Sequence, residues 1–188
     1  MLENQVKQNP IGILVNNEVV KIHQKDDKFF VVAQEDIPFK ITIKNNLCLP
    51  VAAVVTINGC SVIPSVNFKE RAFLINPGKN LIDGFMISPN TEEFIFSFKT
   101  DYKEDIRQVG GICVAIFQGK NILEEDELFS QTGNVEFITD LPSIEVYQLF
   151  YATKEKLIEL GVIPPYEDIE YVERTKKNQF NDFTVISL

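Results

Sequence analysis

The chain has 188 residues, of which 45% are hydrophobic and 24% charged, and its formal net charge is −9. With 15 Phe it is too apolar and aromatic for a disordered protein, and it is too acidic for a general nucleic-acid binder, which needs a basic surface. The single histidine, His23, excludes sites built from several histidines, and the length predicts one domain with a sizeable core.

The negative charge is unevenly distributed along the chain. Residues 1–100 contain 10 Lys/Arg and 10 Asp/Glu, whereas residues 101–188 contain 8 and 17, so the second part accounts for the whole excess. One interpretation is a solvated acidic surface that keeps the protein in solution. The other is a docking face for a basic partner.

The first 118 residues predict a series of short strands separated by turns. Asn16-Asn17 and Asn58-Gly59 suit tight hairpin turns. The strand spacing of roughly 8–12 residues predicts a mainly β fold, a single antiparallel β-sandwich that is jelly-roll-like. Sandwich, barrel and jelly roll share this spacing, so spacing alone does not choose among them. The predicted strands are 11–15, 18–23, 28–34, 39–44, 51–57, 60–63, 71–75, 81–87, 93–99 and 112–118.

The pattern changes after residue 118. We predict a β-sandwich core over 1–118 and an acidic elaboration of the same domain over 119–188, with extended termini. Thr153 and Gly161 predict one short helix near 153–161. Further strands are expected at 134–139 and 144–151. The apolar end at 183–188 suits an edge strand or an arm inserted into a neighbour, and we expect 164–188 to bury against another chain.

The sequence contains no motif typical of a nucleophilic serine, a phosphate-binding loop, a dinucleotide-binding site or a zinc peptidase. Gly110-Gly111 precedes a strand instead of joining a strand to a helix, so it predicts no phosphate cradle. His23 lies close in sequence to Asp26 and Asp27, but no serine or cysteine has the context to complete a triad. The two aspartates also lack the glycine and alternating oxygen ligands of a calcium loop.

Two other acidic clusters are candidate sites. Asp101, Glu104 and Asp105 offer paired carboxylates for glycosidic hydrolysis, but the interleaved basic residues indicate an exposed loop. The run Glu124–Glu127 lacks the ligand pattern of a calcium loop. The sequence therefore predicts no catalytic, cofactor-binding or metal-binding residue, no cofactor and no enzymatic activity.

The three cysteines, Cys48, Cys60 and Cys113, form no C-x-x-C pair and predict small core residues in a reducing cytoplasm, not a zinc site. The first five residues show no signal-peptide pattern, and no apolar run approaches the roughly 20 residues of a membrane span. These features predict synthesis in the cytoplasm and no membrane partner.

Aromatic side chains are expected mainly in the core. The phenylalanines of the predicted strands suit a sandwich interior. For the tyrosines of the acidic part, burial with one satisfied hydroxyl is favoured over an interface belt. They are Tyr147, Tyr151, Tyr166 and Tyr171.

Four segments in order resemble a family of small, uncharacterised bacterial β-sandwich proteins. The segments are 51–63 (VAAVVTINGCSVI), 71–85 (RAFLINPGKNLIDGF), 94–98 (FIFSF) and 110–117 (GGICVAIF). A fifth, 151–163, is similar to the family's ending, so the resemblance spans about 40–163. Phe85 stands where the family has Trp, and Asn58 where it has Asp. The resemblance implies a β-sandwich and brings no activity.

The sequence most favours a non-enzymatic structural or assembly protein. The best specific hypothesis is a virion component, that is, a minor capsid, vertex (penton) or decoration protein. The alternative is a cytoplasmic bacterial module that binds a protein or a ligand. The expected partners are other protein subunits, as a homo-oligomer or capsid neighbours, and neither nucleic acid nor membrane. The expected location is the virion for the first hypothesis and the cytoplasm for the second.

Overall fold

The computed structural model describes residues 9–63, 71–87, 90–98, 109–122, 136–166 and 184–187. Within these residues the chain forms fourteen strands and one helix, α1 (Lys154–Glu159). The strands are β1 (Ile11–Val15), β2 (Glu18–Val19), β3 (Ile22–Lys25), β4 (Lys28–Val32), β5 (Pro38–Asn45), β6 (Val51–Ile57), β7 (Cys60–Ser61), β8 (Arg71–Ile75), β9 (Gly78–Ile82), β10 (Gly84–Ile87), β11 (Asn90–Ile95), β12 (Val109–Ile122), β13 (Glu136–Ala152) and β14 (Thr184–Ser187).

The strands form two sheets, and the fold is mainly β and consistent with the predicted β-sandwich. The six-stranded sheet has the order β10-β11-β5-β1-β2, with β9 also paired to β5. The eight-stranded sheet has the order β12-β6-β8-β14-β13-β4-β3, with β7 paired to β6. Because β12 also pairs with β13, five strands of this sheet form a closed path.

The main core lies between the two sheets. Alternate residues of β5 point into it, so Phe39, Ile41 and Ile43 are buried, as the strict alternation of this strand predicts. Strand β6 pairs with β12 on one side and β8 on the other, and most of its residues are buried, as its apolar, β-branched sequence predicts.

Two pairings differ from the purely antiparallel arrangement that was expected. Strand β13 runs parallel to β4 and to β14, whereas the other described pairings are antiparallel. Parallel neighbours need long connections, and in both cases the two strands are far apart in sequence. Such long-range pairing leaves no signal in the local hydrophobic pattern.

The predicted hairpin turns are confirmed. Asn16 and Asn17 have φ of 53° and 65°, and Asn58 and Gly59 have φ of 51° and 84°. Two consecutive residues at positive φ are what a tight hairpin turn requires, and Asn and Gly tolerate that conformation.

Several strand limits differ from prediction. The strand expected at 18–23 breaks after Val19, because the chain passes there from the six-stranded to the eight-stranded sheet. The strand expected at 81–87 begins earlier, at Gly78, and breaks at Asp83. The two strands expected at 134–139 and 144–151 are one strand, β13. Strand β12 continues past residue 118, with a register irregularity between Phe117 and Gly119.

The helix forms where predicted. Thr153 is the N-cap, and its hydroxyl accepts a hydrogen bond from the Lys156 backbone N–H at 3.3 Å. Gly161 follows the helix with φ of 64°. Leu157 packs with Phe30 and neighbouring apolar residues, so α1 covers one end of the outer side of the eight-stranded sheet.

The C-terminal strand pairs within its own chain. Residues Thr184–Ser187 run antiparallel to β8, and Ser187 is also paired with Glu136 of β13. Strand β14 therefore joins the sheet of its own chain, and the expectation that residues 164–188 bury against another chain stays a prediction. Residues 167–183 lie outside the described part of the chain.

Candidate functional site

His23 is a buried residue of β3 and lies opposite Phe30 of β4. Asp26 and Asp27 form the exposed turn that joins the two strands, and Asp26 has φ of 53°. The structure thus places the histidine in a cross-strand pair and the two carboxylates at a solvated turn. This arrangement agrees with the structural role that the sequence favours for His23.

The other candidate carboxylates, Asp101, Glu104, Asp105 and the run 124–127, lie outside the described residues. Within the part of the chain that the structure describes, no group of three or more His, Cys, Asp or Glu residues is placed to hold a metal ion. In the same part, no helix has the length and apolar character needed to cross a membrane.

The predicted core role of the cysteines is wrong for two of them. Cys48 and Cys60 are exposed, because they lie in or beside turns, and Cys113 of β12 is half-buried. Burial raises the pKa of the Cys113 thiol, which lies close to the Thr56 hydroxyl.

Gly110 and Gly111 belong to β12, and Gly110 has a packing role. The ring of Tyr151, opposite Gly110 in the sheet, lies over the Gly110 Cα, so that a Cβ there would come within 3.0 Å of three atoms of the tyrosine side chain. A Cβ on Gly111 would meet its nearest side-chain atom, of Phe150, only at 3.9 Å. Glycine is thus required at the first position and not at the second.

The Tyr151 side chain is buried, and its hydroxyl joins a hydrogen-bonded cluster at one end of the core that also contains the exposed Asn58. Its hydroxyl accepts a hydrogen bond from Asn58 Nδ2 at 2.8 Å and donates one to the Ser97 carbonyl at 3.3 Å. The Asn58 backbone N–H donates to the Gly111 carbonyl at 2.8 Å, and Asn58 Oδ1 accepts from the Gly111 N–H at 2.9 Å. These bonds tie the turn after β6 to β12 and β13.

Burial raises the pKa of the Tyr151 hydroxyl, so this group stays protonated and acts as a structural donor and acceptor. Burial and the neighbouring Glu145 carboxylate raise the pKa of Tyr147 to about 12. Burial with a satisfied hydroxyl is therefore confirmed for Tyr151. Tyr166 is 85% exposed, and Tyr171 lies outside the described residues.

The eight-stranded sheet carries a second apolar cluster on its side away from the main core, in which Ala52, Ala72 and Leu74 are buried. The cross-strand row Val54–Ala115–Val146 joins β6, β12 and β13, and the next row contains Phe117, opposite Ala52. Val146 is 53% exposed. We call Val54, Ala115, Phe117 and Val146 the apolar face. Leu74 and Ala52 pack with Phe117 and Val54 beside it.

The six-stranded sheet presents a different outer surface. Lys44 of β5 and Lys79 of β9 are directly opposite each other, and both are exposed. Beside them a depression of about 300 Å³ crosses the sheet at Gly12 and Thr42. We call this depression with the two lysines the lysine groove. Its other lining residues are Asn9, Pro10, Ile11, Leu14, Val19 and Asn46.

Hydrogen bonds fix the backbone beneath the lysine groove. Asn80 is fully buried, and its Nδ2 donates to the Asn76 carbonyl at 2.8 Å and to the Ile43 carbonyl at 3.4 Å. Asn45 Nδ2 donates to the carbonyls of Leu49 and Ile75 at 2.9 and 3.0 Å. The two lysines therefore project from strand ends that are held in place by buried amides.

Comparison with known proteins gives no relative: no protein-family model matches the chain, and no curated protein or solved structure matches it. The resemblance to the family of small bacterial β-sandwich proteins stays a prediction.

Proposed function

We propose that the protein is a non-enzymatic structural protein that assembles with other protein subunits. The apolar face is the observation that supports this proposal most. A sheet side that faces water usually carries polar residues that alternate with the buried ones. The three outward residues of β6 and the three β12 residues paired with them are all uncharged. Ala52 is buried, and the others, Val54, Thr56, Cys113, Ala115 and Phe117, are half-buried.

A contiguous apolar patch on the surface of a folded protein is typical of a site that contacts another protein. Burying about 800 Å² on each partner is usual for a stable interface, and a core of apolar side chains surrounded by polar ones supplies much of the energy. Val146, at 53% exposure, is the most exposed residue of the apolar face, and the sheet beneath it is held in place because β12 pairs with strands on both sides.

A virion component is the more specific form of the proposal: a minor capsid, vertex or decoration protein. The support for it is the two-sheet architecture, which capsid jelly rolls also use, together with an outer surface suited to contacts between subunits. A gene position among capsid and packaging genes is the expected observation. A position among metabolic genes would contradict the proposal of a virion component. The broader proposal of assembly with other subunits would then be decided by the self-association measurement described next.

The test is self-association of the purified chain. We expect the molar mass measured by light scattering to rise with protein concentration, and Val146→Lys to keep the chain monomeric at concentrations where the wild type associates. Ile95→Lys is the matched control, because Ile95 is 48% exposed on the six-stranded sheet and outside the apolar face. Equal association of the two variants, with both folded by circular dichroism, would refute the role of the apolar face.

The alternative function is a cytoplasmic bacterial module that binds a protein or a small ligand. The lysine groove favours it, since about 300 Å³ is the lower end of the volumes of small-molecule sites. A wild-type chain that stays monomeric at every concentration would favour this alternative over assembly.

A further inference from the structure

We infer that the lysine groove docks the acidic second part of another copy of this chain, so that subunits associate head to tail. The inference rests on the proposed assembly function. It identifies the surface that forms one of the contacts between subunits and the charges that hold that contact together. It is carried by the opposed pair Lys44 and Lys79, by the depression beside them, and by the segregation of negative charge into residues 101–188.

The opposed lysines are unfavourable for the isolated sheet. Side chains directly opposite each other on an antiparallel pair have Cβ atoms roughly 5 Å apart, and like charges at that distance repel. Neither ammonium group has a carboxylate within 4.0 Å among the described residues. An anionic partner placed between them would convert this repulsion into two attractive contacts.

A second lysine pair shows how the same problem is solved inside the chain. Lys25 and Lys28 are also directly opposite, at the end of the β3–β4 hairpin. There Lys25 Nζ donates to the Leu160 carbonyl at 2.5 Å, at the C-terminal end of α1, where the helix dipole favours a cation. The pair Lys44–Lys79 has no such acceptor among the described residues, which leaves it available to an external one.

The depression indicates an extended segment as the occupant. It begins at Asn9 and Asn46 beside the lysines and runs over Gly12 toward Leu14 and Val19. The Asn46 amide and the Thr42 hydroxyl, which can donate to carboxylates or peptide carbonyls, lie beside the ammonium groups, and the exposed side chain of Val19 offers apolar contact farther along.

Charge complementarity selects a second copy as the partner. Residues 101–188 carry 17 acidic against 8 basic residues, including four consecutive acidic residues at 124–127. Electrostatic attraction between unlike surfaces steers association and fixes its register. Because the two surfaces are different, the contact is heterologous, and repeating it produces a ring or an open chain of subunits.

The test uses two single substitutions with the same chemistry. Lys79→Glu and Lys28→Glu each turn an opposed lysine pair into an opposite-charge pair and change the net charge equally. We expect both to raise the urea midpoint slightly or leave it unchanged. Only Lys79→Glu is expected to weaken self-association. We expect it to raise the dissociation constant of the assembly, measured by sedimentation velocity, by tenfold or more.

Salt gives an independent readout on the wild type. Raising NaCl from about 50 mM to about 500 mM shortens the Debye length roughly threefold and is expected to weaken the association. Equal association of the two lysine variants, or a salt-independent wild type, would overturn this inference and leave the apolar-face proposal standing if Val146→Lys still dissociates the protein. A wild-type chain that is monomeric throughout would overturn both.

Discussion

Replacing Gly110 with alanine is expected to destabilise the protein by about 3 kcal/mol. The new Cβ would lie within 3.0 Å of three atoms of the Tyr151 side chain, closer than real Cβ atoms approach a neighbour. The ring has little room to retreat, because it contacts the rings of Phe39, Phe96 and Phe98 at centroid distances of 6.3, 5.1 and 5.6 Å.

The magnitude follows from two contributions. Forcing an extra carbon into a packed core costs roughly 1–3 kcal/mol. Displacing the ring also weakens the hydroxyl's bonds to Asn58 and Ser97, each worth about 1 kcal/mol. A total near 3 kcal/mol corresponds to a loss of roughly 6–12 °C in the melting temperature of a chain of this size.

Gly111→Ala is the matched control for this prediction. Its Cβ would meet Phe150 at an ordinary contact distance of 3.9 Å, and alanine restricts the unfolded chain, so we expect a change within about 0.5 kcal/mol. Urea unfolding monitored by circular dichroism gives both free energies from the midpoint and slope. In a Tyr151→Leu background the cost of Gly110→Ala should fall below about 1 kcal/mol. Equal stability of the two alanine variants would refute the packing argument.

Two further predictions concern titration and reactivity. Because the pKa of Tyr147 is raised to about 12, the folded state keeps that proton where an ordinary tyrosine loses it, so stability falls as pH rises from about 10 toward 12. Tyr147→Phe should flatten this fall in urea midpoints measured across that range, and an unchanged fall would contradict the assignment. With a thiol reagent at neutral pH, Cys48 and Cys60 are expected to react fast and Cys113 slowly, since it is half-buried and its pKa is raised. Mass spectrometry of each labelled site checks this, with the urea-unfolded chain as the control in which the three rates converge.

The local pattern predicted several elements because their causes are local. The hairpin at Asn58-Gly59 depends on two residues that tolerate positive φ, and the helix depends on a hydroxyl cap at Thr153 and a glycine at 161. Alternation in β5 separates inward isoleucines from outward lysines over a few residues. These signals do not need any knowledge of distant parts of the chain.

The candidate surfaces were visible in the sequence only in part. The alternation at 39–44 shows that Lys40 and Lys44 share the outward side of a strand, but the partner that makes a like-charge pair, Lys79, is identified only by the register between β5 and β9. The apolar face arises in the same way. Segments 51–57 and 112–118 indicate strands buried on both sides, and the structure shows that Val146 continues their outward row into solvent.

The sequence by itself determined that this is a mainly β protein with tight hairpins, one capped helix and a segregated acidic part. Tertiary structure alone decided that Gly110 must be glycine and Gly111 need not be, that β13 pairs in parallel with β4 and β14, and that the C-terminal strand joins its own sheet. The physical reason is that turns, caps and alternation arise from interactions between near neighbours. Strand order and register arise from pairing between distant segments, where one residue of slip exchanges the two faces of a strand.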